Sequence, residues 1–134
     1  MVRTATALLA CALLALAACG GGSSDRDDVE QTLRDFVTAL NKRDADRFCD
    51  DLVTREFIEK QTFAKGAKAL ADCKRQLRQV KDLKVKLVRI SSLSVKGDRA
   101  RVKAVLSVQS QEGDQLYRLK KEDGGWRIAS GSGG

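Results

Sequence analysis

The apolar residues of this 134-residue chain change their period once, near Leu83, and that switch restricts the fold more than any other feature. Upstream, Val29, Leu33, Phe36, Val37 and Leu40 recur at helical spacing and form one apolar stripe. Asp25, Asp27 and Asp28 suit the start of that helix, and Asn41-Lys42-Arg43 puts cations at its negative pole. Asp44 reads as the N-cap of a second helix with Ala45, Phe48, Cys49, Leu52 and Val53 inward. Thr54 restarts a short helical turn carrying Phe57 and Ile58; beyond Gly66, Leu70, Cys73, Leu77 and Val80 mark a further amphipathic helix.

Downstream, Leu83, Val85 and Leu87 alternate with Lys84 and Lys86, and β-branched residues dominate. Val88 and Ile90 place apolar residues on the second face too, which predicts burial on both sides or a bulge. Lys96-Gly97-Asp98-Arg99 reads as a two-residue hairpin turn into a strand with Ala100, Val102, Ala104, Leu106 and Val108 on one face. Gln111 to Asp114 is predicted to turn the chain again, Leu116 to Leu119 to form a third strand, and Trp126 to Ile128 the last, after a turn at Asp123-Gly124-Gly125. The Gly/Ser tail, 130–134, is expected to be mobile. Helices followed by an antiparallel meander make an α+β domain over 25–129, with the sheet curled around the first helix.

The chain has no His, which removes Ser-His-Asp and Cys-His nucleophiles and His-assisted zinc sites. No cofactor or metal is expected. With 25 Lys+Arg against 18 Asp+Glu, the formal charge is +7. Nucleic acid is not an expected partner, because no stacking aromatics interleave with the basic residues and the start of the chain indicates export.

That start reads as an address. Arg3 precedes an unbroken apolar run from Ala7 to Ala18. As a helix this run would span about 18 Å, too short for a hydrocarbon core and suited to a secretory signal. It ends in Leu16-Ala17-Ala18-Cys19, followed by Gly20-Gly21-Gly22-Ser23-Ser24. This resembles the lipobox of bacterial lipoproteins, in which the Cys is acylated and the peptide before it, here 1–18, is removed. The resemblance implies a lipid on Cys19, a Gly/Ser tether over 19–24, and a place on the extracytoplasmic side of the bacterial cell membrane. The bland alternative is an ordinary cleavable signal in which Cys19 is incidental. A flexible tether of this length reaches only about 12 Å. Export would leave Cys49 and Cys73 as two thiols on apolar helix faces in an oxidising compartment, either bonded or buried free.

The first amphipathic helix, Asp44-Ala45-Asp46, the Gly97-Asp98 hairpin and Asp123-Gly124-Gly125-Trp126-Arg127-Ile128 together resemble the nuclear transport factor two-like superfamily. There, a long helix lies in the concavity of a curved antiparallel sheet of about four strands, with shorter helices closing the wide end. A cystatin-like roll is the neighbouring alternative. The pair Cys49 and Cys73 is similar to that of many small secreted members from high-GC Gram-positive bacteria. The resemblance implies a cone cavity, which Phe36, Leu40, Phe48, Leu52, Tyr117 and Trp126 would line unless they fill a core, and an outer sheet face open to dimers. Superfamily enzymes place Asp, Tyr or His in that cavity. Here no such constellation is visible, and no catalytic residue is assigned.

Lys65, Lys68, Lys74, Arg75, Arg78 and Lys81 form the polar side of the last helix, with little acid beyond Asp72. Near a membrane this face could meet anionic lipid or envelope polymer, or it is simply a solvated face. Two functions remain. The first is a lipid-anchored envelope module binding a protein, an anionic surface or a small apolar ligand without chemistry. The second is a small-molecule isomerase, dehydratase or cyclase working in the cone.

Overall fold

The computed structural model describes residues 22–133. The expected signal 1–18 and the lipid-attachment candidate Cys19 lie outside the described residues. Helix α1 runs from Gly22 to Lys42, reaching further back than expected. Gly22 to Ser24, read as tether, therefore belong to its first turns, with Asp25 close behind at the positive end of the aligned peptides.

α1 ends in a left-handed Arg43 (φ 52), where the Asp44 amide bonds Ala39 and the Arg43 amide bonds Leu40. Asp44 then caps the next helical segment, its Oδ1 accepting from the Arg47 amide at 3.1 Å. Arg47–Leu52 winds as a π-helical turn, and Ala45, Phe48, Cys49, Leu52 and Val53 are all buried as their spacing predicts. Thr54 caps α2 (Arg55–Thr62) by accepting from the Phe57 amide, and α3 spans Gly66–Gln79. No helix among the described residues is long and apolar enough to cross a membrane.

Four strands follow as an antiparallel meander in the order β1-β2-β3-β4: Val85–Lys96, Arg99–Val108, Gln111–Glu122 and Gly125–Gly133. Register shifts between Leu87 and Arg89 and between Ile90 and Ser92 leave Val88 and Ser91 as bulge residues, so of the two alternatives for the two-faced apolar pattern the structure shows the bulge. Another interrupts β3–β4 at Arg118/Leu119. Such bulges bend a sheet, and this one wraps α1, whose Val29, Leu33, Phe36 and Val37 are buried against it. Asn41 ties helix to sheet: its side-chain amide donates to the Val85 carbonyl at 2.6 Å and accepts from the Val85 amide at 2.7 Å.

Two sequence expectations are corrected. The β2–β3 turn is Gln109-Ser110, both left-handed, and not 111–114; β3 consequently starts at Gln111. The Gln109 side chain offsets the unfavourable backbone by accepting from the Lys84 amide and donating to the Asp82 carbonyl. The described part of the tail is also not free, since β4 continues to Gly133, pairing Ser130 with Arg118, Gly131 with Tyr117 and Ser132 with Leu116. Gly131 lets the Tyr117 ring approach closely, because a Cβ at that position would lie 3.0 Å from it and would push the ring aside by a few tenths of an ångström. The outer edge of β4 is partly covered by a parallel bridge from Val53 to Ile128 and by the Thr54 amide bonding the Ile128 carbonyl.

Candidate functional site

The interior of the cone is packed. Phe36 stands between Phe48, 5.2 Å away centroid to centroid, and Tyr117, 5.8 Å away and edge-on. Phe36, Phe48, Leu52, Tyr117 and Trp126 are buried, and Leu40 is half-buried against the same core. Burial pushes the Tyr117 phenol up to about 12. The structure thus brings the six cavity candidates together as a core, and open space among the described residues is found at its margins.

One margin is an apolar groove of about 230 Å³ between α2 and α3. Phe48, Phe57, Ile58, Leu77 and Val80 give it apolar walls, and Gln61, Thr62 and Gln76 are its polar lining. Of the cavity candidates only Phe48 reaches it. The three polar residues were invisible to the apolar pattern because they sit on the hydrophilic side of each helix, where the α2–α3 hairpin folds them toward each other. A second recess, of about 360 Å³, is lined by Leu52 and Trp126 together with Asp28, Asp35, Arg47 and Asp51. Three of its charges are already paired, Arg47 bonding Asp35 at 3.0 Å and Asp51 at 3.3 Å. Above it Lys121 stacks 5.8 Å over the Trp126 ring and pairs with Asp25, whose carboxyl it holds below the usual carboxylate range. The Trp126 indole N–H is buried without a hydrogen-bond partner among the described residues. A mostly apolar groove with a few polar groups is the usual form of a small-ligand site, and the first margin meets it better.

Cys49 and Cys73 are joined, with their Cα atoms 6.3 Å apart, so the bonded alternative holds in the structure and α3 is stapled to the π-helical turn. Among the described residues, no group of three or more His, Cys, Asp or Glu side chains is placed to hold a metal ion.

The basic side of α3 is not the unopposed face that its sequence suggested. Asp72 is buried and bonds both Lys68 at 2.7 Å and Arg75 at 2.6 Å; the Lys68 hydrogen bond, then that of Arg75, lowers its pKa. Lys74 meets Asp50 and Asp46, which raise its pKa, and Arg78 also reaches Asp46. Lys65 pairs with Glu59, whose other oxygen caps the Gly66 amide; that amide, followed by Lys65, lowers the Glu59 pKa. Asp72 belongs to α3 itself and Glu59 to α2, whereas Asp50 and Asp46 reach Lys74 and Arg78 from 24 and 32 residues upstream, and of the six cations only Lys81 makes no ion pair among the described residues. The cations of this face are structural glue.

A family described as "Putative lumazine-binding" matches residues 24–132 of the chain. Among solved structures the chain is similar to a domain of unknown function with a cystatin-like fold from Nostoc punctiforme PCC 73102, at 18% identity and a TM-score of 0.60, covering 84% of this chain and 78% of that one. It is also similar to a nuclear transport factor two-like protein of unknown function from Shewanella oneidensis MR-1, at 18% identity and a TM-score of 0.57, covering 80% and 96%. A de novo designed protein with a curved β-sheet aligns at 16% identity and a TM-score of 0.52, covering 84% and 98%. These likenesses establish the cone fold expected from the sequence. No curated protein matches the chain.

Proposed function

The chain belongs to the family described as "Putative lumazine-binding", and from that premise we propose that it is a binding module without catalysis, held by a lipid on Cys19 at the extracytoplasmic face of a bacterial cell membrane. The observation that carries the reading is the packed aromatic core at Phe36, Phe48 and Tyr117. Proton-transfer chemistry needs an ionisable group beside an open cavity, and the one phenol of the chain is buried among other rings. Binding then falls to the α2–α3 groove. Its apolar walls suit one face of a flat two-ring heterocycle such as lumazine, and Gln61, Thr62 and Gln76 can read the donors and acceptors on its rim. Anchoring is supported by Arg3, the short apolar run and Leu16-Ala17-Ala18-Cys19 before a Gly/Ser segment.

Three measurements test this. Cells fed an alkyne fatty acid should label the wild type and not Cys19→Ala; an unlabelled wild type removes the anchor. Lumazine, followed by its own fluorescence, should bind the mature chain saturably and at least about tenfold more weakly after Phe57→Ala, which strips one wall. A titration with no saturation removes this ligand. Finally, the single Tyr should ionise near pH 12 in an absorbance titration, after its burial. A midpoint near the free value, about 10, would mean an open interior and would return the enzyme reading to favour.

A further inference from the structure

The outer face of the sheet, expected from the family resemblance only as a surface open to dimers, carries the mature chain's whole excess of positive charge. From Cys19 onward the chain has 24 Lys+Arg and 18 Asp+Glu, a net +6, since only Arg3 precedes it. The strand residues whose side chains alternate away from the core hold nine cations and three carboxylates (Glu112, Asp114 and Glu122), which is also +6. Everything else on the mature chain, turns and helices included, balances at fifteen of each sign.

The register stacks these cations. Lys96, Arg99, Lys120 and Arg127 form one row across all four strands, and Arg101 stands directly opposite Arg118 in the next, between Ser94 and Ser130. Lys103 continues the patch in a third row, flanked by Ser92. Like charges opposed across a ladder are destabilising. Arg99 and Lys120 have distant acid partners at 3.7 and 3.5 Å, and Arg127 turns aside to the Asp50 carbonyl. Arg101, Lys103 and Arg118 are exposed and make no ion pair among the described residues. A fold that neutralises the cations of α3 so thoroughly leaves these unneutralised.

We infer that this face is an electrostatic docking surface for an anionic phospholipid bilayer. The placement of α1 favours the bilayer over other polyanions. Arg26 bonds the Leu93 carbonyl and Asp25 pairs with Lys121, so the first turn of α1 lies at the sheet end that carries the Lys96–Arg127 row. Only Gly20 and Gly21 separate α1 from Cys19, so a lipid there puts this row next to headgroups. That step rests on the anchored reading above. The same charge opposes face-to-face pairing of two copies.

The test uses the mature chain with Cys19→Ser, which bears no lipid, and phosphatidylcholine vesicles with and without phosphatidylglycerol. Cosedimentation is expected only with the anionic vesicles and should fall as salt rises. Arg101→Gln/Lys103→Gln/Arg118→Gln should weaken it by roughly a hundredfold, at about fivefold per cation. Lys60→Gln/Lys65→Gln/Lys81→Gln removes as many charges from the helical side and should leave binding in place. Equal losses in the two variants would reduce the effect to net charge and overturn the site. Binding of polyphosphate without binding of vesicles would overturn the bilayer as its occupant. Fatty-acid labelling of the wild type remains a separate readout: an unlabelled Cys19 beside intact vesicle binding sinks the anchor and leaves the face.

Discussion

Two basic regions of similar composition, the polar side of α3 and the outer face of the sheet, end in opposite electrostatic states. On α3 nearly every cation meets a carboxylate, and one of those carboxylates, Asp72, is buried. On the sheet the cations face one another. The difference is topological. α3 packs beside Asp46, Asp50 and Glu59 of the preceding helical segments, whereas the outside of a four-stranded meander has no layer above it to supply acids. A run of Lys and Arg in sequence therefore says little about free charge until its neighbours are known. On one side the charges hold the fold together, and on the other they cost it stability.

The largest expected effect breaks the α3 side outright. Cys73→Ser frees α3 from the π-helical turn, and the chain-entropy argument assigns a loop of this size roughly 3.5 kcal/mol. Urea unfolding of the mature chain should show a loss of that order, large for a domain holding about 5–15 kcal/mol in total. A loss within error would mean that core packing of Ala69 and Leu77 and the ion pairs hold α3 in place without the bond.

A smaller effect separates the two faces by pH. Asp72 and Glu59 have folded pKa values below their unfolded ones, the first held down by Lys68 and the second by the Gly66 amide. Their stabilisation is complete above the unfolded values near 4 and is lost as pH falls through the lower folded values. The urea midpoint should therefore drop below about pH 4. Asp72→Asn should lower the midpoint at neutral pH and flatten that acid limb. An unchanged acid limb in the variant would show that the buried carboxylate does not contribute to the pairing.

Much of this fold could be read from periodicity, because core packing imposes it: the α1 stripe, the Asp44 cap, the Thr54 restart and the Gly97-Asp98 turn all appear as expected. Turns were less legible. Gly113 drew the second hairpin to the wrong place, since Gln109 and Ser110 reach left-handed conformations through side-chain bonds that no local pattern displays. The Gly/Ser tail looked like a mobile end, yet it pairs with β3 and its Gly131 lies close against the Tyr117 ring. Charge was least legible of all, because pairing depends on which elements become neighbours. Arg101 and Arg118 stand seventeen residues apart in the chain and directly opposite in the sheet.

The smallest effect reverses the usual sign of a charge deletion. Arg101→Gln/Arg118→Gln removes one directly opposed like-charge pair, and cross-strand pairs of this kind are worth about 0.2–1 kcal/mol. The variant should be more stable than the wild type by an amount in that range at low salt, with the gain shrinking as salt screens the repulsion. On α3, Lys68→Gln/Arg75→Gln should act in the opposite direction, because it strands Asp72. Parallel urea titrations of the two variants at two ionic strengths would settle the comparison. If the sheet variant is instead destabilised, its arginines are serving the fold through the packing of their long stems, and the face is no longer a reservoir of unmet charge.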